Sequence, residues 1–148
     1  MILRFFLYGL LGWCAEIVWT ALLGFVASRD WRLAGVSYLW MFPIYGSIAF
    51  LYEPLHDAMR GWPIVARALV WALGFTAVEF ASGFAIERAT GRCPWDYQAA
   101  GARFAINPYI RWDYFPLWAA VGLALEPVQD FLVRATPAIQ AALHGRGA

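Results

Sequence analysis

Two carboxylates stand where a carboxylate is costly. Glu16 is the only acidic residue between Phe5 and Ser28, and Glu79 is the only one between Ala68 and Ile86, in runs that are otherwise apolar. At membrane depth a charged side chain costs on the order of several kcal/mol unless it is protonated, paired or facing water, so such acids mark proton, cation or substrate sites. A neutral glutamic acid can also serve simply as an interhelical hydrogen-bond partner. At helical spacing, Gly9, Gly12, Glu16, Thr20 and Gly24 share one stripe, the small-residue face by which membrane helices pack closely. Thr76, Glu79, Ser82, Gly83 and Glu87 form a second, more polar stripe. Facing stripes would bring Glu16 and Glu79 within reach of a shared proton or cation, with Tyr8, Tyr45 and Tyr52 as hydroxyl partners.

A second set of acids recurs in a fixed pattern. Phe42-Pro43 is followed, ten residues after the proline, by Glu53-Pro54-Leu55-His56-Asp57, and Phe115-Pro116 is followed at the same distance by Glu126-Pro127-Val128-Gln129-Asp130. The matched spacing, with Gly12-Trp13 before Glu16 and Gly74-Phe75 before Glu79, suggests an internal repeat of two helical hairpins. Two spans per unit would make the copies parallel, related by an axis near the membrane normal. Proline restricts the residue before it, which predicts that the helices kink or end at Glu53 and Glu126. Arg60 and Arg134 lie close by in sequence to neutralise these acids. Glu53, His56 and Asp57 at i, i+3 and i+4 could instead share a metal, a weaker reading because Gln129 replaces the histidine in the second copy.

The connection 87–114 is the longest in the chain and carries Trp95-Asp96-Tyr97 and Trp112-Asp113-Tyr114. Trp and Tyr favour the headgroup level, so these rings read either as an interfacial belt or as a cap over a polar cavity. As a cap they would place Asp96 and Asp113 with Glu87, Arg88 and Arg92 at its mouth. Glu16, Glu79, Tyr45, Glu87, Trp95, Asp96 and Tyr97 are therefore the candidate substrate- or ion-binding set.

The elements that position these residues follow from composition. With 62% hydrophobic and 14% charged residues over 148 positions, the chain has the balance of an all-α integral membrane protein. A ~30 Å hydrocarbon layer needs about 20 helical residues, which predicts a compact four-helix bundle with spans near 5–26, 38–56, 67–86 and 114–133, an interfacial loop 87–114 and a short tail 134–148, all in a single membrane domain. The first span is longer than a signal peptide's apolar region and contains Glu16 and two tryptophans, so it reads as a retained helix. Four spans put both termini on one side. Arg4, Arg60, Arg67, Arg134 and Arg146 then oppose Arg29, Arg32, Arg88, Arg92, Arg103 and Arg111, which gives the positive-inside rule nothing to separate. Cys14 and Cys93 form no disulfide framework and read as free thiols. No basic block exists to bind nucleic acid, and no motif calls for a cofactor.

The ordered set Tyr8-Gly9, Gly12-Trp13-Cys14-Ala15-Glu16, Pro43-Ile44-Tyr45-Gly46, Val78-Glu79-Phe80 with Gly83-Phe84, and Cys93-Pro94-Trp95-Asp96-Tyr97 resembles the small membrane-protein family described as putative ABC-transporter type IV (CmpB-like), which includes the transmembrane protein 229 group. The resemblance covers roughly 5–130 and implies a bundle of about four membrane helices. It matches the family pattern at Glu16, Tyr45, Gly46, Glu79, Trp95, Asp96 and Tyr97. The chain departs from that pattern at Phe115-Pro116-Leu117-Trp118 and between Tyr97 and Tyr114.

Three function classes remain open at this point. In a permease, buried carboxylates bind a proton, cation or small substrate, and so small a protomer would work as a homo-oligomer in a lipid bilayer, read as a bacterial inner membrane. An ABC role would need a separate ATPase subunit, because the chain has no phosphate-binding Gly-x-x-x-x-Gly-Lys loop and no lysine at all. In an intramembrane enzyme, Glu16 and Glu79 would act as acid and base on a lipid or isoprenoid. The third class is a structural or regulatory membrane protein. Gly-x-Ser-x-Gly and His-Glu-x-x-His are both absent, which argues against serine and zinc hydrolases.

Overall fold

The computed structural model describes residues 1–145, so Arg146 lies outside the described residues. Five α-helices account for the fold: α1 (Ile2–Ser28), α2 (Met41–Gly46), α3 (Ile48–Met59), α4 (Ile64–Thr90) and α5 (Phe115–Leu143). No strand occurs among the described residues; a single isolated antiparallel bridge joins Ala105 to Arg111 in the loop before α5. The chain forms two compact units, one of Met1–Asp57 with the chain from Phe131 onward, the other of Ala58–Asp130. The division falls inside α3 and α5.

Helices α1 and α4 are each 27 residues long and are the two, among those described, that combine span length with a charge-poor apolar window. Very little of either window is buried. Phe6, Leu10, Leu11, Val18, Leu22 and Val26 of α1 all stand exposed, an apolar surface consistent with a membrane setting. Each helix stops at a left-handed residue whose amide caps the last turn: Arg29 (φ 57°) bonds Phe25 O at 2.7 Å, and Gly91 (φ 79°) bonds Glu87 O at 2.7 Å. At Gly91 the absence of a Cβ removes the steric cost of that conformation.

The other two predicted spans take a different form. The segment 38–56 folds as two helices, α2 and α3, with the break at Ser47. The segment 114–133 is the first part of α5, which continues to Leu143, and Glu126 and Asp130 dilute its apolar window. Neither helix ends at its Glu-Pro pair: α3 runs through Pro54 to Met59 and α5 runs through Pro127. A helical proline removes one backbone hydrogen bond, at ~3 kcal/mol, but leaves the flanking turns intact. In both helices the glutamate just before the proline is held by an arginine from another helix, which fixes the turn that the proline weakens.

Candidate functional site

In the first unit, Glu16 lies midway along α1, and the hydroxyl of Tyr45 on α2 donates to its Oε2 at 2.9 Å. The approach depends on Gly12, one turn before Glu16. A Cβ built there would sit 2.3 Å from Tyr45 Cγ, so only a bare backbone admits the ring. The loop after α1 closes over the same face. A Cβ on Gly35 would lie 2.0 Å from the Ile17 carbonyl oxygen, and Thr20 Oγ1 both accepts from Val36 N (2.9 Å) and donates to Val36 O (2.8 Å). Ser37, next in sequence, gives Glu16 a second hydroxyl neighbour.

In the second unit, both oxygens of Glu79 on α4 are occupied. Tyr97 Oη donates to Oε1 at 2.6 Å, and Trp118 Nε1 on α5 donates to Oε2 at 3.0 Å. The loop 91–114 thus reaches Glu79 on α4 through the Tyr97 phenol. Burial, and then the neighbouring Glu79, push the Tyr97 phenol far above its ordinary range, so it stays a donor. The loop is folded in its own right. Tyr97 N bonds Pro108 O, Trp95 Nε1 bonds Tyr109 O at 3.1 Å, and Asn107 Oδ1 accepts from the amides of Tyr109 and Ile110. Gly83 on α4 provides the seat, where a Cβ would come within 3.2 Å of both Trp95 and Tyr109. Aromatic contacts continue the wall, with Trp118 stacked on Phe75 (5.6 Å) and edge-on to Tyr114 (5.9 Å). The Arg111 guanidinium lies 4.5 Å from the Tyr114 ring centre and 5.6 Å from that of Tyr97, and donates through Nε and Nη2 to the two oxygens of Asp113.

The buried acids of the Glu-Pro pairs, Glu53 and Glu126, are bound quite differently. Arg4 on α1 makes a two-pronged ion pair with Glu53 (2.6 and 2.8 Å). Arg67 on α4 donates to Glu126 at 2.7 Å, and Trp71 Nε1, one turn on, takes the other oxygen at 2.9 Å. Arg60 pairs with Asp130 at 2.6 Å. Glu53 and Glu126 are thus each held by an arginine far along the chain. No group of three or more His, Cys, Asp or Glu side chains gathers in metal-binding geometry among the described residues. Of the sequence-suggested trio Glu53, His56 and Asp57, Glu53 is bound by Arg4 and the buried His56 ring stacks on Tyr52.

Of the seven candidate residues, Glu16 and Tyr45 meet in one unit and Glu79 and Tyr97 meet in the other. Trp95 and Glu87 support the loop from beneath, Glu87 accepting from the Tyr109 hydroxyl and holding that phenol above its usual value. Asp96 turns away, its Oδ1 capping Ala99 N at 2.9 Å. Sequence reasoning missed the indoles Trp71 and Trp118. A signal for Trp71 existed: Arg4-x-x-x-Tyr8 and Arg67-x-x-x-Trp71 place an arginine and a ring with a polar tip on one helical face in both halves. Cys14 and Cys93 are free, and burial pushes the Cys93 thiol up.

Two apolar helices of membrane-spanning length, each holding a carboxylate bound by other side chains, are consistent with a membrane protein. Residues 3–144 match the family model described as Putative ABC-transporter type IV, and the chain belongs to that family of transporter-type membrane proteins. No solved structure matches it.

Proposed function

We propose that the protein is a permease in which Glu16 and Glu79 are exchangeable carboxylates that bind a proton, a cation or a small cationic substrate. The observation that carries this reading is the chemistry of their partners. Glu53 and Glu126 are bound by arginine, whereas Glu16 and Glu79 are bound by phenol and indole donors that carry no charge. A neutral donor satisfies a carboxyl oxygen without fixing the charge of the group, so a proton or cation can come and go. Arginine supplies a permanent counter-charge and makes the acid a structural clamp.

Four membrane crossings complete this reading. Helix α5 is long enough at ~1.5 Å per residue, and α2 with α3 can cross as one broken span. The break at Ser47 leaves little backbone unsatisfied, because Ser47 N bonds Pro43 O and Leu51 N bonds Ser47 O. The interval from Arg4 to Arg67 equals that from Glu16 to Glu79, and the interval from Tyr45 to Trp118 equals that from Glu53 to Glu126. These coincidences support descent from a duplicated hairpin. A permease of this size would act as a homo-oligomer, with a separate ATPase subunit if the ABC mechanism applies.

The test uses purified protein in sealed vesicles loaded with pyranine, with imposed gradients of Na⁺, K⁺ or methylguanidinium. Proton movement linked to one of these gradients is expected, with Glu16→Gln and Glu79→Gln each abolishing it. Flux that survives both substitutions would overturn the proposal.

A further inference from the structure

We infer that the Glu79 site selects an organic cation of guanidinium or quaternary-ammonium type, and that Arg111 is its built-in occupant. The inference rests on the permease reading and names the substrate class of one of its sites. Three features converge here. Glu79 offers the negative charge, Tyr97 and Tyr114 meet at a corner (5.8 Å, 77°), and Trp118 stands edge-on to Tyr114 while bonding Glu79. Aromatic faces beside a carboxylate are the surroundings that weakly hydrated organic cations prefer. Alkali and divalent ions need a shell of oxygen ligands, whereas the side chains on Glu79 bring one phenol oxygen, one indole nitrogen and aromatic rings.

The corner already holds such a cation. Arg111 lies against both tyrosines and is kept there by Asp113. A loop side chain that fills the corner closes the site when no substrate is present, and a guanidinium arriving from the membrane-helix side would compete with it for the same two rings.

The experiment is titration of the detergent-solubilised full chain with methylguanidinium and tetramethylammonium chloride, against NaCl at equal ionic strength, read by tryptophan fluorescence and calorimetry. The organic cations should bind and NaCl should not. Arg111→Gln should tighten binding by roughly tenfold, since it vacates the corner, Tyr114→Leu should weaken it by roughly tenfold, and Tyr114→Phe should retain it. Equal response to NaCl, unchanged affinity in Tyr114→Leu, or weaker affinity in a folded Arg111→Gln would each overturn the inference. Proton flux driven by Na⁺ or K⁺ without guanidinium binding would refute this inference and spare the permease reading. Guanidinium binding without flux would do the reverse.

Discussion

The two units solve the same problem, holding a carboxyl group inside an apolar helix, by different packing. In Met1–Asp57 the donor ring of Tyr45 is laid directly on the backbone of α1 at Gly12, and a short loop closes the face. In Ala58–Asp130 the donor ring of Trp118 is laid on another ring, Phe75, and a longer folded loop brings in Tyr97 as a second donor. Beneath each site lies an arginine-bound acid, Arg4 with Glu53 and Arg67 with Glu126. The difference teaches a contrast: the arginine pairs are common to both units and tie helices together, while the neutral-donor sites vary in their partners.

The largest expected effect breaks that contrast if it is wrong. Arg67→Met leaves Glu126, 8% exposed, without its counter-charge, and should destabilise the folded protein by ~3–5 kcal/mol in a denaturant titration. Adding Glu126→Gln should recover most of the loss, since the amide carries no charge and keeps the bond from Trp71. Glu79→Gln and Glu16→Gln should each stay within ~1 kcal/mol of wild type, because the donors to these acids are neutral. A Glu79→Gln penalty as large as that of Arg67→Met would erase the distinction between clamps and exchangeable sites.

A middle-sized effect sharpens the packing contrast. Gly12→Ala drives a methyl into the Tyr45 ring and should cost ~1–3 kcal/mol while separating Tyr45 from Glu16. Gly74, in the corresponding helix of the other unit, faces open space, with nothing within 4 Å of a built Cβ. Gly74→Ala should be neutral or stabilise by up to ~1 kcal/mol through helix propensity. Thermal midpoints in detergent check both, and a tolerated Gly12→Ala would mean that Tyr45 does not rest on bare backbone.

What was legible in the sequence follows from where the information lies. Glu16 and Glu79 could be found because an acid alone in an apolar run is a one-dimensional signal. The all-helical class and the two long apolar helices were readable on the same ground. Partners across helices were not readable. Arg60 and Arg134 flank the Glu-Pro pairs, yet the clamps come from Arg4 and Arg67, far along the chain. The break at Ser47 was also hidden, since Pro54 gave the stronger local warning and proved compatible with a continuous helix. Trp118 stood out only as a departure from the family pattern, and its role as a donor to Glu79 emerged from the fold.

The smallest expected effect concerns pH and again compares the two loops. The Arg111 guanidinium beside Asp113 holds that carboxyl below the usual range, and Arg32 does the same to Asp30 in the loop after α1. A lowered value means that the ionised acid favours the folded loop. That contribution is fully present above the ordinary value near ~4 and fades as pH falls through the lowered one. The two pairs differ in what they hold. Arg32 is 85% exposed and its pair lies on the surface, whereas Arg111 is packed on Tyr97 and Tyr114 beside the Glu79 site. Near-ultraviolet circular dichroism, followed from about pH 5 to about pH 2 in the Glu79→Gln background, should therefore show the aromatic signal weakening, modestly because Asp113 is one-third exposed. Asp113→Asn should flatten that titration and Asp30→Asn should leave it unchanged. The opposite pattern would place the acid-sensitive contact in the first unit and remove Arg111 from its place as keeper of the aromatic corner.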